Sequence, residues 1–316
     1  MSIYSYTTSM EKLLRVLGDA NRLRIVSLLA RGPLNVSEIA EVLDLSQSNV
    51  SHHLRRLLDR GVVRRESRAG WAFYRLASES ETVSGLVRVA VAGLAGTDRY
   101  RRDMRQLARV YSARKESSRE FFDSRAECWP DLEGMLPEPG QYLQLIADCL
   151  EGAESLVEIG CGSGRLLGVL SGMAERLIGV DHSEEMLRAA RRRIMDQAVG
   201  GSVELRLGDA EHLPVADGWA DGVVAHMVLH HVADPAQVIR EAARVLSPRG
   251  RIALVELREH DNTEFREKQG DLWPGFPPER LEHWLADSGL EVLRRHEPKG
   301  GTAVLVCAAR RLQPDE

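Results

Sequence analysis

The stretch Leu156-Val-Glu-Ile-Gly-Cys-Gly-Ser-Gly164 constrains this chain of 316 residues more than any other. Its first half is short and apolar, which predicts a β-strand. Its three glycines predict a tight turn in which the backbone can touch a ligand. Residues 165–170 have helical spacing, so we expect the first N–H groups of that helix to face the ligand. By itself, such a turn is also compatible with a strand–helix connection that binds nothing.

Three acidic residues narrow the chemistry of this turn. Glu158 stands just before the first glycine, where a pyrophosphate site would not place a negative charge. Asp181 closes a second apolar run, about 17 residues beyond the loop, where an acid can hold ribose hydroxyls. Asp209 closes a third run, over residues 203–207. The pattern favours a nucleoside ligand that is not a dinucleotide.

The order strand, glycine loop, helix, strand, acid, helix, strand, acid resembles a class I S-adenosylmethionine (SAM) methyltransferase domain. The resemblance implies an α/β, Rossmann-like fold with a mostly parallel seven-stranded sheet that binds SAM or its demethylated product S-adenosylhomocysteine (SAH). SAM carries an ammonium and a sulfonium, so a carboxylate beside the loop attracts it. The first motif, the ribose-binding acid, the adenine loop and the methyl pocket of the family imply these cofactor-binding residues: Glu158, Gly160, Cys161, Gly162, Gly164, Asp181, His182, Met186, Asp209, Ala210, His226 and Met227.

Length and composition indicate an ordinary globular protein of about two domains. There is no run of about 18 apolar residues, which predicts no membrane span. Residues 1–8 lack the features of a signal peptide. The cysteines at 128, 149, 161 and 307 form no CxxC pair, which argues against a zinc site or a disulfide framework. We therefore expect a reducing, cytoplasmic location.

Charge is unevenly distributed along the chain. Residues 1–95 carry 13 Lys and Arg against 9 Asp and Glu, a net charge of +4, whereas the whole chain carries −5. A basic module on an acidic body suggests that a polyanion meets one end only.

The N-terminal segment has the pattern of a winged helix-turn-helix. Apolar periodicity predicts helices over 10–17, 20–29 and 36–43, and Asn35 with Glu38 predicts a capping box for the third. Ser46 caps a further helix that ends at Gly61. Residues 62–66 and 71–76 then flank a hairpin with a basic tip.

These details resemble the ArsR family of bacterial repressors over residues 10–77. The resemblance is carried by residues 17–25, by Leu45-Ser-Gln-Ser-Asn-Val-Ser-His-His-Leu54 and by the aromatic wing that ends at Leu76. Helical spacing buries Val50, Leu54 and Leu57 and leaves short polar side chains exposed, where they can reach base edges; a merely solvated face is the alternative. Arginines more typically meet phosphates. The predicted DNA-binding residues are Gln47, Ser48, Ser51, His52, Arg55, Arg64 and Arg68, with Arg56 and Arg65 beside them.

Many ArsR repressors sense metals, and this chain departs from them. Helix 36–43 has no cysteine, and residues 78–96 contain neither histidine nor cysteine. We therefore predict no metal. The apolar segment 82–94 is the dimerisation helix by resemblance, so we expect a homodimer on a double-stranded DNA operator; packing on its own domain is the alternative.

The chain between the two modules is rich in arginine and has a thin apolar stripe, which predicts a connecting helix. Residues 121–129 resemble the aromatic segment that covers the cofactor in these methyltransferases, although a clamp onto the core fits nearly as well. The predicted organisation is a DNA-binding and dimerisation domain over 1–96, a connecting and covering segment over 97–130, and a SAM/SAH-binding domain over 131–316.

The C-terminal half offers further candidates. His226, Met227 and Leu229 line the methyl pocket by resemblance. The adjacent His230 and His231 invite a catalytic or metal-binding interpretation, but the pair is common in the family as a packing feature. Strands are predicted over 251–257, 291–295 and 302–309, the last antiparallel. The insertion 258–290 either closes over the site or forms a surface cap.

Fusions of an ArsR repressor with a methyltransferase form a recognised group, and some of its members repress SAM-cycle genes in response to SAH. The resemblance therefore implies a transcriptional regulator with SAM or SAH as effector. The alternative is an active small-molecule methyltransferase whose gene is autoregulated through the fused repressor.

Overall fold

The computed structural model describes residues 3–68, 71–77, 81–129, 142–196, 202–260, 262–297 and 304–311. The chain divides into two compact units, residues 1–114 and 115–316. Within the described residues, every helix is too short or too polar to cross a membrane.

The first unit is helical with a small antiparallel sheet. The first helix begins at residue 3, earlier than predicted, and a two-residue strand missed by the prediction pairs with the second strand of the wing. The elements are α1 (Ile3–Leu17), α2 (Ala20–Leu29), β1 (Leu34–Asn35), α3 (Val36–Leu43), α4 (Gln47–Leu58), β2 (Val63–Arg68), β3 (Trp71–Leu76), α5 (Glu81–Leu94) and α6 (Asp98–Arg125).

Local side-chain capping fixes where these helices begin. The Asn35 side chain accepts the Glu38 N–H at 2.9 Å, and the Glu38 carboxylate accepts the Asn35 N–H at 2.8 Å, so the predicted capping box is confirmed. Asp19 caps α2 and Ser46 caps α4 in the same way. Between α3 and α4, Asp44 adopts a left-handed conformation (φ 55°), which makes the turn short.

Helix α6 packs on the core of the first unit with an apolar stripe and two ion pairs. Leu107 and Val110 are buried in that core. The Arg24 guanidinium forms two hydrogen bonds, 2.7 and 2.8 Å long, with the Asp103 carboxylate, and both side chains are almost fully buried. Arg114 grips both oxygens of Glu38 at 2.8 and 2.6 Å. The arginine-rich helix is therefore not uniformly solvated.

We expect Asp103→Ala to lower the free energy of unfolding by about 3–5 kcal/mol, because it leaves the buried Arg24 guanidinium without its carboxylate. The matched control is Asp98→Ala in the same helix, whose exposed partnership with Arg101 contributes little. Urea unfolding of the full chain, followed by circular dichroism, measures both variants. Equal losses from the two substitutions would contradict the assignment.

The second unit places helices around one mostly parallel sheet. Besides the end of α6, its elements are α7 (Leu143–Cys149), β4 (Ser155–Ile159), α8 (Leu167–Leu170), β5 (Arg176–Asp181), α9 (Glu184–Asp196), β6 (Ser202–Leu207), β7 (Ala220–His226), a 3₁₀ turn (Leu229–His231), α10 (Pro235–Val245), β8 (Leu246–Leu257), α11 (Thr263–Gln269), α12 (Pro278–Asp287), β9 (Leu290–His296) and β10 (Val304–Arg311).

The strand order is β6-β5-β4-β7-β8-β10-β9. The first five strands are parallel, and β10 pairs antiparallel with both β8 and β9. The predicted α/β class with a mostly parallel sheet is confirmed. The order reverses at β4, which has β5 on one side and β7 on the other. Ligands bind outside the carboxyl ends of the strands at such a switch point, so we expect the ligand site at the loops after β4 and β7.

One local prediction was wrong. The helix after the glycine loop does not start at residue 165; α8 is a single turn from Leu167 to Leu170. Gly164 has φ 78°, outside the right-handed helical region, so the chain cannot enter a helix directly from the loop. The loop itself, more than a long helix N-terminus, presents the backbone at this edge.

Candidate functional site

The loop after β4 needs two of its glycines for close packing and leaves space at the third. A Cβ on Gly160 would lie 2.3 Å from Cγ2 of Val228, in the segment that follows β7. A Cβ on Gly164 would lie 3.1 Å from the Ala190 Cβ of α9. A Cβ on Gly162 would meet nothing within 4 Å. Gly162 therefore borders open space where a ligand can lie against backbone.

The Asp181 carboxylate holds this loop to the end of β5. It accepts the Gly162 N–H at 2.8 Å and the Ser183 N–H at 2.9 Å. Oδ2, which accepts only the Gly162 N–H, keeps a further lone pair, so the group can still accept from a ligand. Beneath the loop, Glu158 is buried, and burial together with the charges of Asp181 and Glu158 raises the pKa of the Cys161 thiol well above its usual value. Cys161 is consequently a packing residue, not a thiolate.

The turn that follows Asp181 carries two more of the predicted residues. His182 Nδ1 lies 3.5 Å from Asp181 Oδ1. Burial lowers the pKa of His182, but the Asp181 hydrogen bond and charge outweigh it, so the pKa is raised. Met186 is buried and packs against Phe122 and Trp129.

The aromatic segment 121–129 lies against that same turn. The Phe122 ring is 5.1 Å from Trp129 and 5.7 Å from His182, in edge-on contacts. The Ser183 hydroxyl donates a 2.6 Å hydrogen bond to Asp123. The segment thus contacts predicted cofactor residues, a position compatible with both the covering and the clamping interpretation.

Lys115, near the end of α6, is a site residue that the sequence did not reveal. Its ammonium lies 2.8 Å from Asp209 Oδ2 and 2.6 Å from Glu211 Oε2. Burial lowers the pKa of Lys115, but the two carboxylates outweigh it and raise the pKa. Burial of Asp209 would raise the pKa of its carboxyl, but Lys115 outweighs burial and the pKa is lowered. At Glu211 burial is the larger effect, so the pKa of that carboxyl is raised. The half-buried Ala210 lies between the two carboxylates along the chain. The carboxylate predicted to contact adenine is therefore held by a cation.

The segment after β7 reaches the same edge of the sheet. The His226 ring nitrogen Nε2 is 2.6 Å from the Tyr142 hydroxyl, and burial with the charges of Arg165 and His230 lowers the pKa of His226 to about 3. His226 is therefore a neutral side chain. Met227 is buried at a positive φ of 52°, a strained conformation that is concentrated at functional sites.

The two adjacent histidines lie in a buried polar cluster. His230 Nδ1 makes a very short hydrogen bond with Glu256 Oε1, and Asp271 faces both rings. Burial by itself would lower the pKa of His230, but the negative charges of Glu256 and Asp271 outweigh burial, so the pKa is raised. Burial lowers the pKa of His231 well below its usual value. Burial also raises the pKa of Asp271 to about 7, although the positive charges of His230 and Arg266 act in the opposite direction.

In the first unit, α4 has the division of faces that the sequence predicted. Val50, Leu54 and Leu57 are fully buried. His53 is also buried, 3.6 Å from the Asp19 carboxylate, and burial lowers its pKa despite that charge. The Arg68 side chain lies outside the described part. The predicted DNA-binding residues on the exposed surface are Gln47, Ser48, Ser51, His52 and Arg55 on α4 and Arg64 on β2.

The glycine loop yields a test that needs no ligand. Gly160→Ala should lower the free energy of unfolding by about 2–5 kcal/mol, because a left-handed alanine is strained and its Cβ collides with Val228. Gly162→Ala meets no atom and should lose only the backbone strain, about 1–2 kcal/mol. Chemical unfolding of both variants measures the difference. A larger loss from Gly162→Ala than from Gly160→Ala would contradict the loop geometry.

Comparison with known protein families matches both units. Residues 157–254 match the model of a methyltransferase domain, and residues 19–65 match that of bacterial regulatory proteins of the arsR family. Both resemblances predicted from the sequence are thereby confirmed.

Individual relatives match parts of the chain. An uncharacterized 37.1 kDa protein in transposon Tn4556 of Streptomyces fradiae is 42% identical over 120 residues, covering 36% of this chain and 34% of that protein. The 27-O-demethylrifamycin SV methyltransferase of Amycolatopsis mediterranei is 36% identical over 124 residues, covering 39% and 41%. A demethylmenaquinone methyltransferase of Lactobacillus johnsonii is 32% identical over 126 residues, covering 38% and 52%. The chain spans only about a third to a half of the length of these relatives.

Among solved structures, a methyltransferase in complex with the Haloferax volcanii Trm112 methyltransferase activator has the same fold. It superposes with a TM-score of 0.52 at 19% identity, covering 63% of this chain and 99% of that one.

Proposed function

We propose that this chain, which joins an ArsR-family helix-turn-helix domain to a methyltransferase domain, is a DNA-binding repressor whose second domain binds SAM or SAH as an effector. In this proposal SAH is the form that releases DNA, and the regulated genes belong to the SAM cycle. The observation that carries the proposal is the ion pair between the Lys115 ammonium, on α6, and the Asp209 carboxylate.

The charge of the site supports a cationic nucleoside. The methyltransferase domain is of the SAM-dependent type. Glu158, Asp181 and Asp209 bring three carboxylates to the carboxyl edge of the sheet, which disfavours a pyrophosphate and favours an ammonium group. Gly162 leaves room for the ligand, and the spare lone pair of Asp181 Oδ2 can accept a ribose hydroxyl.

Ligand binding at Asp209 would compete with Lys115. The 6-amino group of adenine donates hydrogen bonds, as the Lys115 ammonium does, and both need the same carboxylate oxygens. Because α6 is one continuous helix from Asp98 to Arg125, a displacement of Lys115 would also act on Asp103 and Arg114, which pair with Arg24 and Glu38. Such a ligand shifts DNA binding only by its differential affinity for the two arrangements.

The choice between SAM and SAH depends on one charge. The two molecules share the adenosine and amino-acid groups, and SAM adds a methyl group and a sulfonium. Met227, Leu229 and Trp129 are buried apolar side chains, and in this proposal they line the methyl pocket. Desolvation of the sulfonium there would penalise SAM, and a difference of about 1.4 kcal/mol gives tenfold discrimination.

The deciding experiment follows operator binding by fluorescence anisotropy at fixed salt while SAM or SAH is titrated. We expect SAH to release DNA at about one tenth of the SAM concentration that is needed. Lys115→Met should tighten SAH binding, since the competitor at Asp209 is gone, and should weaken the coupling to DNA release. Asp209→Asn should weaken binding of both nucleosides.

The alternative is an active small-molecule methyltransferase with an autoregulated gene. Similarity to the 27-O-demethylrifamycin SV and demethylmenaquinone methyltransferases favours this alternative. The buried His230, which follows Leu229 of the predicted methyl pocket, also favours it. If neither nucleoside changes operator binding while the protein steadily consumes SAM with an acceptor, the sensing proposal is wrong and the enzyme is right.

The DNA-binding surface has its own test. His52→Ala should weaken operator binding by about 1–3 kcal/mol and relax the preference at one base pair, because in this proposal the exposed His52 contacts a base edge. Arg64→Ala should weaken all sequences alike and lower the salt dependence, as expected for a phosphate contact. Anisotropy with operator and scrambled DNA at several salt concentrations separates the two. A His52→Ala variant that loses affinity equally for both DNAs would contradict the base contact.

A further inference from the structure

The buried cluster after β7 brings three ligand-type atoms together. His230 and His231 lie in the 3₁₀ turn, and Asp271 follows α11 in the insertion. Their side chains are 2%, 10% and 0% exposed. Asp271 Oδ1 lies 3.7 Å from His230 Nε2 and 3.6 Å from His231 Nδ1, and all three atoms lie within 4.8 Å of one another.

Hydrogen bonds on the outer side of each ring decide which nitrogens face inward as acceptors. Glu256 accepts the backbone N–H groups of Leu229 at 2.8 Å and Leu257 at 2.6 Å, so its carboxylate is fixed beside His230 Nδ1. His230 therefore donates from Nδ1 and presents the Nε2 lone pair to Asp271. His231 donates towards the Gly270 carbonyl, and its Nδ1 has no hydrogen-bond partner among the described residues.

Three lone-pair atoms thus face one another inside the protein. Neither Asp271 oxygen has a hydrogen-bond partner in the described part of the chain, and 3.6–3.7 Å is too long for a hydrogen bond. Acceptors buried without a donor are costly. Protons on His230 Nε2 and on the Asp271 carboxyl are the competing occupants, and they would leave the second Asp271 oxygen without a donor. One cation at the centre would satisfy all three groups.

The separations suit a small divalent cation. Metal–nitrogen and metal–oxygen bonds of about 2.0–2.2 Å at a tetrahedral angle separate the ligand atoms by about 3.3–3.5 Å. The two spacings from Asp271 Oδ1, 3.7 Å to His230 Nε2 and 3.6 Å to His231 Nδ1, exceed that separation by a few tenths of an ångström, and the two histidine nitrogens lie within 4.8 Å of each other. Two carboxylates, Glu256 and Asp271, lie at this cluster, against one guanidinium, Arg266. A carboxylate or carbonyl behind each ligating histidine is the usual outer shell of a protein metal site.

We propose that His230 Nε2, His231 Nδ1 and the Asp271 carboxylate bind a divalent first-row transition metal ion. The two-nitrogen, one-oxygen set suits Zn²⁺ and leaves at least one coordination position for water or another ligand. In this proposal the ion joins the segment after β7 to the insertion. The Phe122 ring lies next to the site, with its centroid 4.9 Å from that of the His231 ring. The insertion therefore has a function in this proposal, which is to supply Asp271. The sequence-based expectation was no metal, and it treated the pair of His230 and His231 as a packing feature; this proposal departs from that expectation because Asp271 lies against both rings.

The test uses tag-free, full-length protein that is stripped with EDTA, loaded with Zn²⁺, desalted and analysed for bound metal by mass spectrometry. We expect about one Zn²⁺ per chain and a Co²⁺-loaded form whose visible spectrum shows nitrogen and oxygen ligands and no thiolate. Asp271→Asn is nearly isosteric and should abolish stoichiometric binding, as should His231→Ala. Glu256→Gln should weaken affinity by about 10–100-fold, the usual effect of losing an outer-shell partner.

The matched control is His283→Ala, which removes an exposed histidine that pairs with Asp287 on the surface. It should bind Zn²⁺ as the wild type does. Circular dichroism of each stripped variant checks the fold, and the Co²⁺ spectrum of the wild type decides if His231→Ala does not fold. Folded wild type that retains less than about a tenth of an equivalent, or Asp271→Asn that binds like the wild type, would overturn the site and leave a shared proton as its occupant. Metal content is independent of the DNA and nucleoside assays, so failure here leaves those proposals intact.

Discussion

The missing side chain at Gly160 is the constraint on which the candidate site depends. The loop after β4 and the segment after β7 pass so close that a single added carbon would collide with Val228. This contact lies where the strand order reverses, the place at which ligands bind in sheets of this kind. Asp181 then fixes the loop from the other side by accepting the N–H groups of Gly162 and Ser183. A ligand would meet a backbone that is already held in place.

Helix α6 shows how a highly charged segment can still be specifically packed. In the first unit its Asp103 forms a buried pair with Arg24, and its Arg114 binds Glu38, which is also half of the α3 capping box. In the second unit its Lys115 binds two carboxylates. Buried pairs add little net stability, but a broken one costs several kcal/mol, so each pair fixes the position of the helix within its own unit. In the proposed sensor, a ligand that binds Asp209 would act on this helix through Lys115.

Burial of the histidine cluster has a desolvation cost that burial of apolar side chains would not have. Glu256 and Asp271 are carboxylates with fully buried side chains, and Arg266 is buried nearby. Replacing such groups with apolar residues is often neutral or stabilising, so their presence calls for a function. The cluster lies directly after Leu229, at the same edge of the sheet as the glycine loop. A bound cation there would connect the insertion to the crevice.

The sequence by itself determined the local structure and the identity of both domains. The glycine loop, the Asn35–Glu38 capping box, the two faces of α4 and the alternation of strands and helices all depend on residues a few positions apart, where spacing and capping act directly. Only the tertiary structure decided the pairings between distant residues. Lys115 and Asp209 are 94 positions apart, Arg24 and Asp103 are 79 apart, and Asp271 reaches His231 from a separate insertion. No periodicity marks such partners, because packing of whole elements brings them together. The helix after the loop was likewise shorter than its spacing suggested: Gly164 has a left-handed backbone, and an added Cβ there would meet Ala190 of α9.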